Sequence, residues 1–333
     1  MSTAPLRPTM DGLRQVLPGM GVSIIICLAA LALGQRYGAP VMPFALLLGI
    51  AMSFLAEDPR IRPGLEFTSS GLLKIGVALL GLSISTETFS RLGIWAVLTV
   101  IGLLILTILL GIWIGRRAGW PTPVATVAAG AVSICGASAA LAISSLLPGM
   151  KEQRSQTMTI VLTATALSTL GMVAYPVLLE TAGFTPEQEG FVLGASIHDV
   201  AQVVGAGYSV SDEVGEIAVL TKMIRVAMLP VVLLTLSVIA ARNSQTRGAI
   251  RLPWFVLAFI ALAVLASFAP IPEPVTTAVS HLSRSIFYVA IAAIGLLSNV
   301  QEIFRTGHRA LAVLGASTLF LLLSSMGMAA LLY

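Results

Sequence analysis

Charge is what this sequence has least of: 10% of its 333 residues are Asp, Glu, Lys or Arg, against 57% hydrophobic. A water-soluble domain carries about 25% charged residues, so that class is excluded. Mean hydropathy is +0.96, and the apolar stretches follow one another closely enough to leave no sizeable domain outside a membrane. Cysteine is as scarce. Cys27 and Cys135 both lie inside apolar runs, which gives no disulfide framework. Catalytic signatures are missing too: there is no Gly-x-Ser-x-Gly elbow, no His-Glu-x-x-His pair, no nucleotide loop and no metal-spaced Cys/His cluster. The expectation is a protein that is not an enzyme and needs neither cofactor nor metal. A net charge of +4 is better explained by membrane orientation than by a nucleic-acid partner.

What the chain has in abundance is long hydrophobic runs. A crossing takes roughly 20 apolar residues, about 30 with its loop, so this length admits about eleven. The runs at 16–34, 40–55, 67–85, 91–115, 121–147, 155–179, 187–208, 214–241, 253–270, 274–299 and 308–332 read as transmembrane helices. They are too long, continuous and rich in Leu, Ala and Ile for membrane strands. Breaks such as Glu57-Asp58-Pro59, Trp120-Pro121-Thr122-Pro123 and Pro270-Ile271-Pro272 carry turn chemistry. One set of loops holds Arg7, Arg14, Arg60, Arg62, Arg116, Arg117, Arg242, Arg247, Arg251, Arg305 and Arg309; the alternate set holds only Arg36, Arg91, Lys151 and Arg154. Eleven against four places the first set, and the amino terminus, in the cytoplasm. An odd number of crossings then puts the carboxyl terminus in the periplasm of a bacterial inner-membrane protein. The basic start also fits a signal peptide, but no small-residue cleavage site follows Ala32 and ten further spans do, so it reads as the first span.

Four cations remain inside the spans: Lys74, Lys222, Arg225 and Arg284. A single acid, Asp199, joins them, with His198 beside it and His281 three residues before Arg284. Each charge at mid-bilayer costs about 2.5–3.5 kcal/mol on the lenient insertion scale. The other acids lie in loops or at span ends, so the compensating partner is expected to be an anionic ligand in a water-accessible cavity. Snorkelling is the alternative, easiest for Lys74 and Lys222 near their span ends and hardest for Arg225 and Arg284. Lys222 and Arg225 are three residues apart and share a helix face. On this reading Arg225→Ala abolishes anion binding and leaves the fold intact.

Two spans are rich in small residues at their centres, Gly130-Ala131-Val132-Ser133-Ile134-Cys135-Gly136-Ala137-Ser138-Ala139-Ala140 and Gly194-Ala195-Ser196-Ile197-His198-Asp199-Val200-Ala201-Gln202. Transporter sites are built where helices break at mid-depth and expose half-helix ends; close helix packing through small residues is the alternative. A gapless echo pairs Ala78, Gly81, Leu82, Arg91 and Gly93 with Ala292, Gly295, Leu296, Arg305 and Gly307. The two stretches are seven crossings apart, the relation of an inverted repeat. His198-Asp199 is a buried acid-and-imidazole pair suited to proton coupling, or to neutralising Arg225 or Lys222 when substrate is absent.

The stretches from Leu72-Leu73-Lys74 to Leu82, Cys135 to Ala139, Gly194 to Val204, and Lys222 to Arg225 followed by Pro230 together resemble the YeiH-type family of bacterial membrane proteins, labelled sulfate exporters. The resemblance covers roughly residues 16–300, and its most specific part is the His-Asp motif; Glu is as familiar as Asp at position 199. It implies a secondary transporter related to cation/proton antiporters and bile-acid symporters, with a panel domain and a core in which two broken helices cross. Homodimers are common in that superfamily.

The resulting expectation is one all-α polytopic transporter domain over 1–333, its core over 121–241 and its helix breaks near 130–140 and 194–202. The substrate is a small anion, sulfate or an organic sulfonate, moved by alternating access with H+ or Na+ coupling. Lys74, Ser133, Cys135, Gly136, Ser138, Gly194, Ser196, Gln202, Lys222, Arg225 and Arg284 are the expected binding residues; His198 and Asp199 couple or gate. The rivals are a passive anion channel, disfavoured by polar residues clustered at mid-depth, and an intramembrane enzyme built on Cys135 and His198. Besides substrate and a possible second copy of the chain, the expected partner is membrane lipid.

Overall fold

The computed structural model describes residues 10–37, 41–82, 86–147, 150, 153–241, 254–268, 271–298 and 307–333. Its elements are all helices, and the described residues contain no strand. In chain order they are α1 (Met10–Tyr37), α2 (Val41–Ala51, followed by a 3-10 turn at Ser53–Glu57) and α3 over 62–80, whose middle, Phe67–Leu72, is π-helical. Next come α4 (Thr86–Arg117), α5a (Thr122–Cys135), α5b (Ala137–Leu146), α6 (Arg154–Thr181), α7a (Pro186–Ser196) and α7b (Val200–Val210). The remainder are α8 (Asp212–Ala227), α9 (Leu229–Ala241), α10 (Trp254–Phe268), α11 (Glu273–Leu297) and α12 (His308–Leu332).

Helix occupies every one of the eleven runs expected to span. Six helical stretches are long and apolar enough to cross a bilayer: Arg14–Tyr37, Leu92–Arg117, Ser155–Thr181, Asp212–Ile239, Glu273–Leu297 and His308–Leu332. The surface agrees with lipid as the solvent. Trp95, Leu98, Leu109 and Trp113 on α4 and Leu319 and Leu323 on α12 all point outward, whereas the buried hydroxyls of Ser23, Thr68, Thr163 and Ser317 bond carbonyls four residues back. Hydrocarbon offers a polar group no partner, so each must be satisfied within the protein. The loop cations Arg7, Lys151, Arg242, Arg247, Arg251 and Arg305 lie outside the described residues.

The chain divides into two compact units, one of residues 1–83 and 262–300, the other of 84–261 and 301–333. In the first, α1 packs on α3 through Gly19 and Gly64, and α2 on α11 through Gly49 and Gly295. A Cβ on Gly49 would stand 2.6 Å from the Ala292 carbonyl oxygen, so these helices touch backbone to backbone. Lys74 and Arg284 belong to this unit, half-buried on α3 and α11.

The second unit contains the 121–241 segment together with α4 and α12. Small residues again set its contacts. Gly111 and Gly115 of α4 face Ala129 and Ala125 of α5a, Gly190 of α7a faces Ile217 of α8, and Gly207 of α7b faces Gly215 of α8. Of the two glycine pairs in the echo, Gly93 and Gly307 have different backbones, φ +70° and −58°.

Candidate functional site

Both small-residue spans break inside the second unit. In the first, the helix widens into a π turn over Ala131–Cys135, which the Gly136 amide closes onto the Ala131 carbonyl at 2.8 Å. Gly136 then takes φ 61°, ψ −123° before α5b begins. An uninterrupted helix would pair the carbonyls of Val132, Ser133 and Ile134 with the amides four residues on. The break leaves these carbonyls orphaned. In the second span α7a stops at Ser196, and Ile197 and Asp199 are extended, with ψ 138° and 143°. Asp199 caps α7b by accepting from the Ala201 amide at 2.9 Å, and its own amide donates to Ser168 Oγ at 3.0 Å. The two breaks meet: a Cβ on Gly136 would lie 3.8 Å from that of His198.

That space around Gly136 isolates a conformational requirement. No crowding opposes a methyl there, but a β-carbon is strained at positive φ. Gly136→Ala is therefore expected to cost about 1–3 kcal/mol, read as a lower unfolding midpoint in detergent. An unchanged midpoint would show that the break tolerates ordinary backbone.

The orphaned carbonyls are taken by α8. Lys222 Nζ donates to Ile134 O at 2.7 Å and Ile197 O at 2.9 Å. Arg225 Nε donates to Ser133 O at 2.9 Å, Nη2 to Val132 O at 2.8 Å, and Nη1 to Ile197 O at 3.0 Å and Gly194 O at 3.2 Å. The i, i+3 spacing puts both heads on one face of α8, and Gly194 lets α8 approach closely enough for them to reach. Lys222 is 0% exposed and Arg225 1%. Neither snorkels.

This corrects the expectation that only a visiting anion can compensate the buried cations. The carbonyls at the carboxyl ends of α5a and α7a accept the hydrogen bonds of both heads. In this conformation Lys222 and Arg225 are fastened to backbone and closed off from the surface. Ser133 and Ser196 are also engaged, donating to Ala129 O at 2.8 Å and Val192 O at 2.6 Å. Cys135 is buried beside Lys222, and Ser138 is exposed on α5b. His198 and Gln202 are buried at the amino end of α7b. The structure thus brings Ser133, Cys135, Gly136, Gly194, Ser196, His198, Asp199, Gln202, Lys222 and Arg225 to the two breaks, and places Lys74 and Arg284 in the other unit.

Sequence reasoning missed Ser168, Thr169 and Thr318. His198 Nε2 lies 2.8 Å from Thr318 Oγ1, and Gln202 Nε2 lies 3.5 Å from Thr169 Oγ1. Hydroxyls in apolar helices give no sequence signal, because most of them only bond the preceding turn.

A family model described as conserved hypothetical protein 698 matches residues 18–314. The chain belongs to this family. It is 43% identical to UPF0324 membrane protein TauZ of Paracoccus denitrificans, covering 94% of this chain and 95% of that one. A UPF0324 membrane protein of Chlorobaculum tepidum is 40% identical over 93% of this chain and 88% of its own length. One of Rhizobium meliloti is 40% identical over 91% and 90%. No solved structure matches the chain. The family resemblance read from the Lys74, Cys135 and His198 segments is borne out. These family names say membrane protein, in agreement with the six long apolar helices.

Proposed function

We propose that the chain is a secondary carrier for a small anion in the bacterial inner membrane, with its amino terminus in the cytoplasm. The observation that carries this reading is the pair of cations fastened to both helix breaks. Lys222 and Arg225 bring two positive charges; Asp199, within electrostatic range of Lys222, returns one. The half-helix dipoles cancel, since two carboxyl ends and two amino ends meet at the same place. About one positive charge is left over in a low-dielectric interior, where Coulomb attraction is several times stronger than in water. The amino ends of α5b and α7b supply the amides to hold a ligand.

One surplus charge suits a monovalent sulfonate better than divalent sulfate. Broken helices favour alternating access over a pore, because a continuous channel needs polar lining from end to end. Asp199 is the coupling or gating group, released from its capping role when the site opens. A carrier exchanges labelled for unlabelled substrate. Proteoliposomes loaded with unlabelled ethanesulfonate are therefore expected to accumulate the labelled compound transiently above equilibrium. Flux linear in concentration without such counterflow would favour a channel and overturn the carrier reading.

A further inference from the structure

The direction of each broken helix can be followed against α4 and α12, whose register is fixed at two points. Tyr333 Oη donates to Leu92 O at 3.1 Å, and a Cβ on Gly111 would lie 3.5 Å from Ser317 Oγ. The two helices are therefore antiparallel, with Arg117 and His308 at one end and Leu92 and Tyr333 at the other. α5a runs back along α4, since Gly115 faces Ala125 and Gly111 faces Ala129. At equal rise per residue Gly136 comes level with Leu104, in the middle of the Leu92–Arg117 span.

From there α5b does not go on toward Leu92. A Cβ on Gly130 would run into Ile143 Cδ1, whereas in one continuous helix those residues stand about 20 Å apart along the axis. α5b is folded back beside α5a, and it packs on α9, the half of the Asp212–Ile239 span beyond Arg225. The second break folds the same way from the opposite end. Gly190 and Gly194 of α7a meet Ile217 and Thr221 in step, so α7a runs parallel to α8; Gly207 of α7b meets Gly215, so α7b runs against it. Phe191 lies edge-on to Tyr333, ring centroids 6.2 Å apart, which sets the mouth of this fold at the Leu92 end. Charge agrees independently. Folding α5b back brings Lys151 and Arg154 to the side of Arg116 and Arg117, so that of the loop cations only Arg36 and Arg91 remain on the other.

The four arms are not equally tied. α5a is buried from Val124 to Cys135, and Lys222 and Arg225 hold its last carbonyls. α7b is bound to α6 through the Asp199 amide on Ser168 and Gln202 on Thr169. On α5b, Ser144 and Ser145 donate to Leu141 O and Ala142 O of their own helix. Among the described residues none of its side chains bonds another element, and Ser138, Leu141 and Ser145 reach the surface. Its contact with α5a at Gly130 is apolar and unlatched, and its joint is Gly136 at φ 61°. We infer that α5a–α5b and α7a–α7b are re-entrant hairpins entering the membrane from opposite faces and meeting tip to tip, and that α5b is the cytoplasmic gate, swinging about Gly136 away from Gly130. The gate rests on the carrier reading; the hairpins stand without it.

Two measurements on the full chain, carrying Cys27→Ala and Cys135→Ala, test this. Gly130→Cys combined with Ile143→Cys is expected to close a disulfide on oxidation, found by mass spectrometry of the digest; in a continuous span the two positions lie far beyond the reach of that bond. Single cysteines labelled in cells with a membrane-impermeant maleimide, before and after permeabilisation, read the faces. Ser155→Cys is expected to react from the same side as Ala118→Cys, and Ala182→Cys from the same side as Leu331→Cys. No disulfide, or either of these pairs split between the two sides, overturns the hairpins. In proteoliposomes the closed disulfide is expected to stop ethanesulfonate counterflow, and a reductant to restore it. Counterflow that persists with the disulfide closed overturns the gate and leaves the hairpins standing. Absence of counterflow in the unaltered protein overturns the carrier reading and the gate with it, while the labelling still decides the hairpins.

Discussion

Arg225→Ala is expected to cost the protein its fold stability before it costs any ligand. Four carbonyl contacts, on Val132, Ser133, Gly194 and Ile197, depend on that guanidinium. A buried polar group left without its partner costs about 1–3 kcal/mol, and breaking a buried ionic arrangement from one side about 3–5 kcal/mol. The summed loss is more than about 4 kcal/mol, a fall of roughly 8 °C or more in the unfolding midpoint at about 2 °C per kcal/mol for a chain of this size. Arg225→Lys keeps the charge but cannot span four acceptors, and is expected to fall between. Thermal unfolding in detergent checks both. A midpoint within about 2 °C of the unaltered protein in Arg225→Ala would remove the fastening role. It would also restore the simpler expectation that this residue only meets substrate.

Gly194→Ala is the second large effect, and its cause is steric. The added Cβ would run into the Ala218 carbonyl and stand 2.6 Å from Thr221 Cβ, both on α8. Neither neighbour is the tip of a flexible side chain, so the helices must separate. Separation pulls Arg225 Nη1 away from Gly194 O, where the bond is already 3.2 Å. Overpacking of this kind costs about 1–3 kcal/mol, and the strained bond adds to it. The control carries the opposite sign. Gly102 on α4 faces outward, and a methyl added there would meet nothing within 4 Å, so Gly102→Ala is expected to be neutral or to gain up to about 1 kcal/mol of helix propensity. Equal midpoints for the two alanine variants would show that α7a and α8 can part without loss, and that their close approach contributes nothing to stability.

The helices were legible in the sequence because hydrocarbon leaves so little choice of structure: each apolar run holds helix. The two breaks were legible through Gly136 and through the run from Gly194 to Asp199. What the pattern withheld was the partner of each charge. Lys222 and Arg225 announced a need for something negative, but a backbone carbonyl has no letter of its own. It becomes available only where the π turn and the extended Ile197 release it. Thr318 and Ser168 stayed invisible for the same kind of reason, since a hydroxyl's second bond depends on which helix packs against it. Lys74 and Arg284 satisfied the same sequence criterion as Lys222 and Arg225 and lie in the other unit, because hydropathy registers depth in a span and not which helices assemble together.

The glycine contacts of the first unit carry a practical consequence. Where Gly19 meets Gly64 and Gly49 meets Gly295, cohesion comes from dispersion between bare backbones. The nearest atoms across both crossings are backbone, so no rotamer is frozen at the glycines themselves. Such joints are indifferent to proton activity and to ionic strength, unlike the cation-laced breaks of the second unit. A melting curve that shifts with buffer composition therefore reports on the charged groups of either unit and not on these glycine crossings.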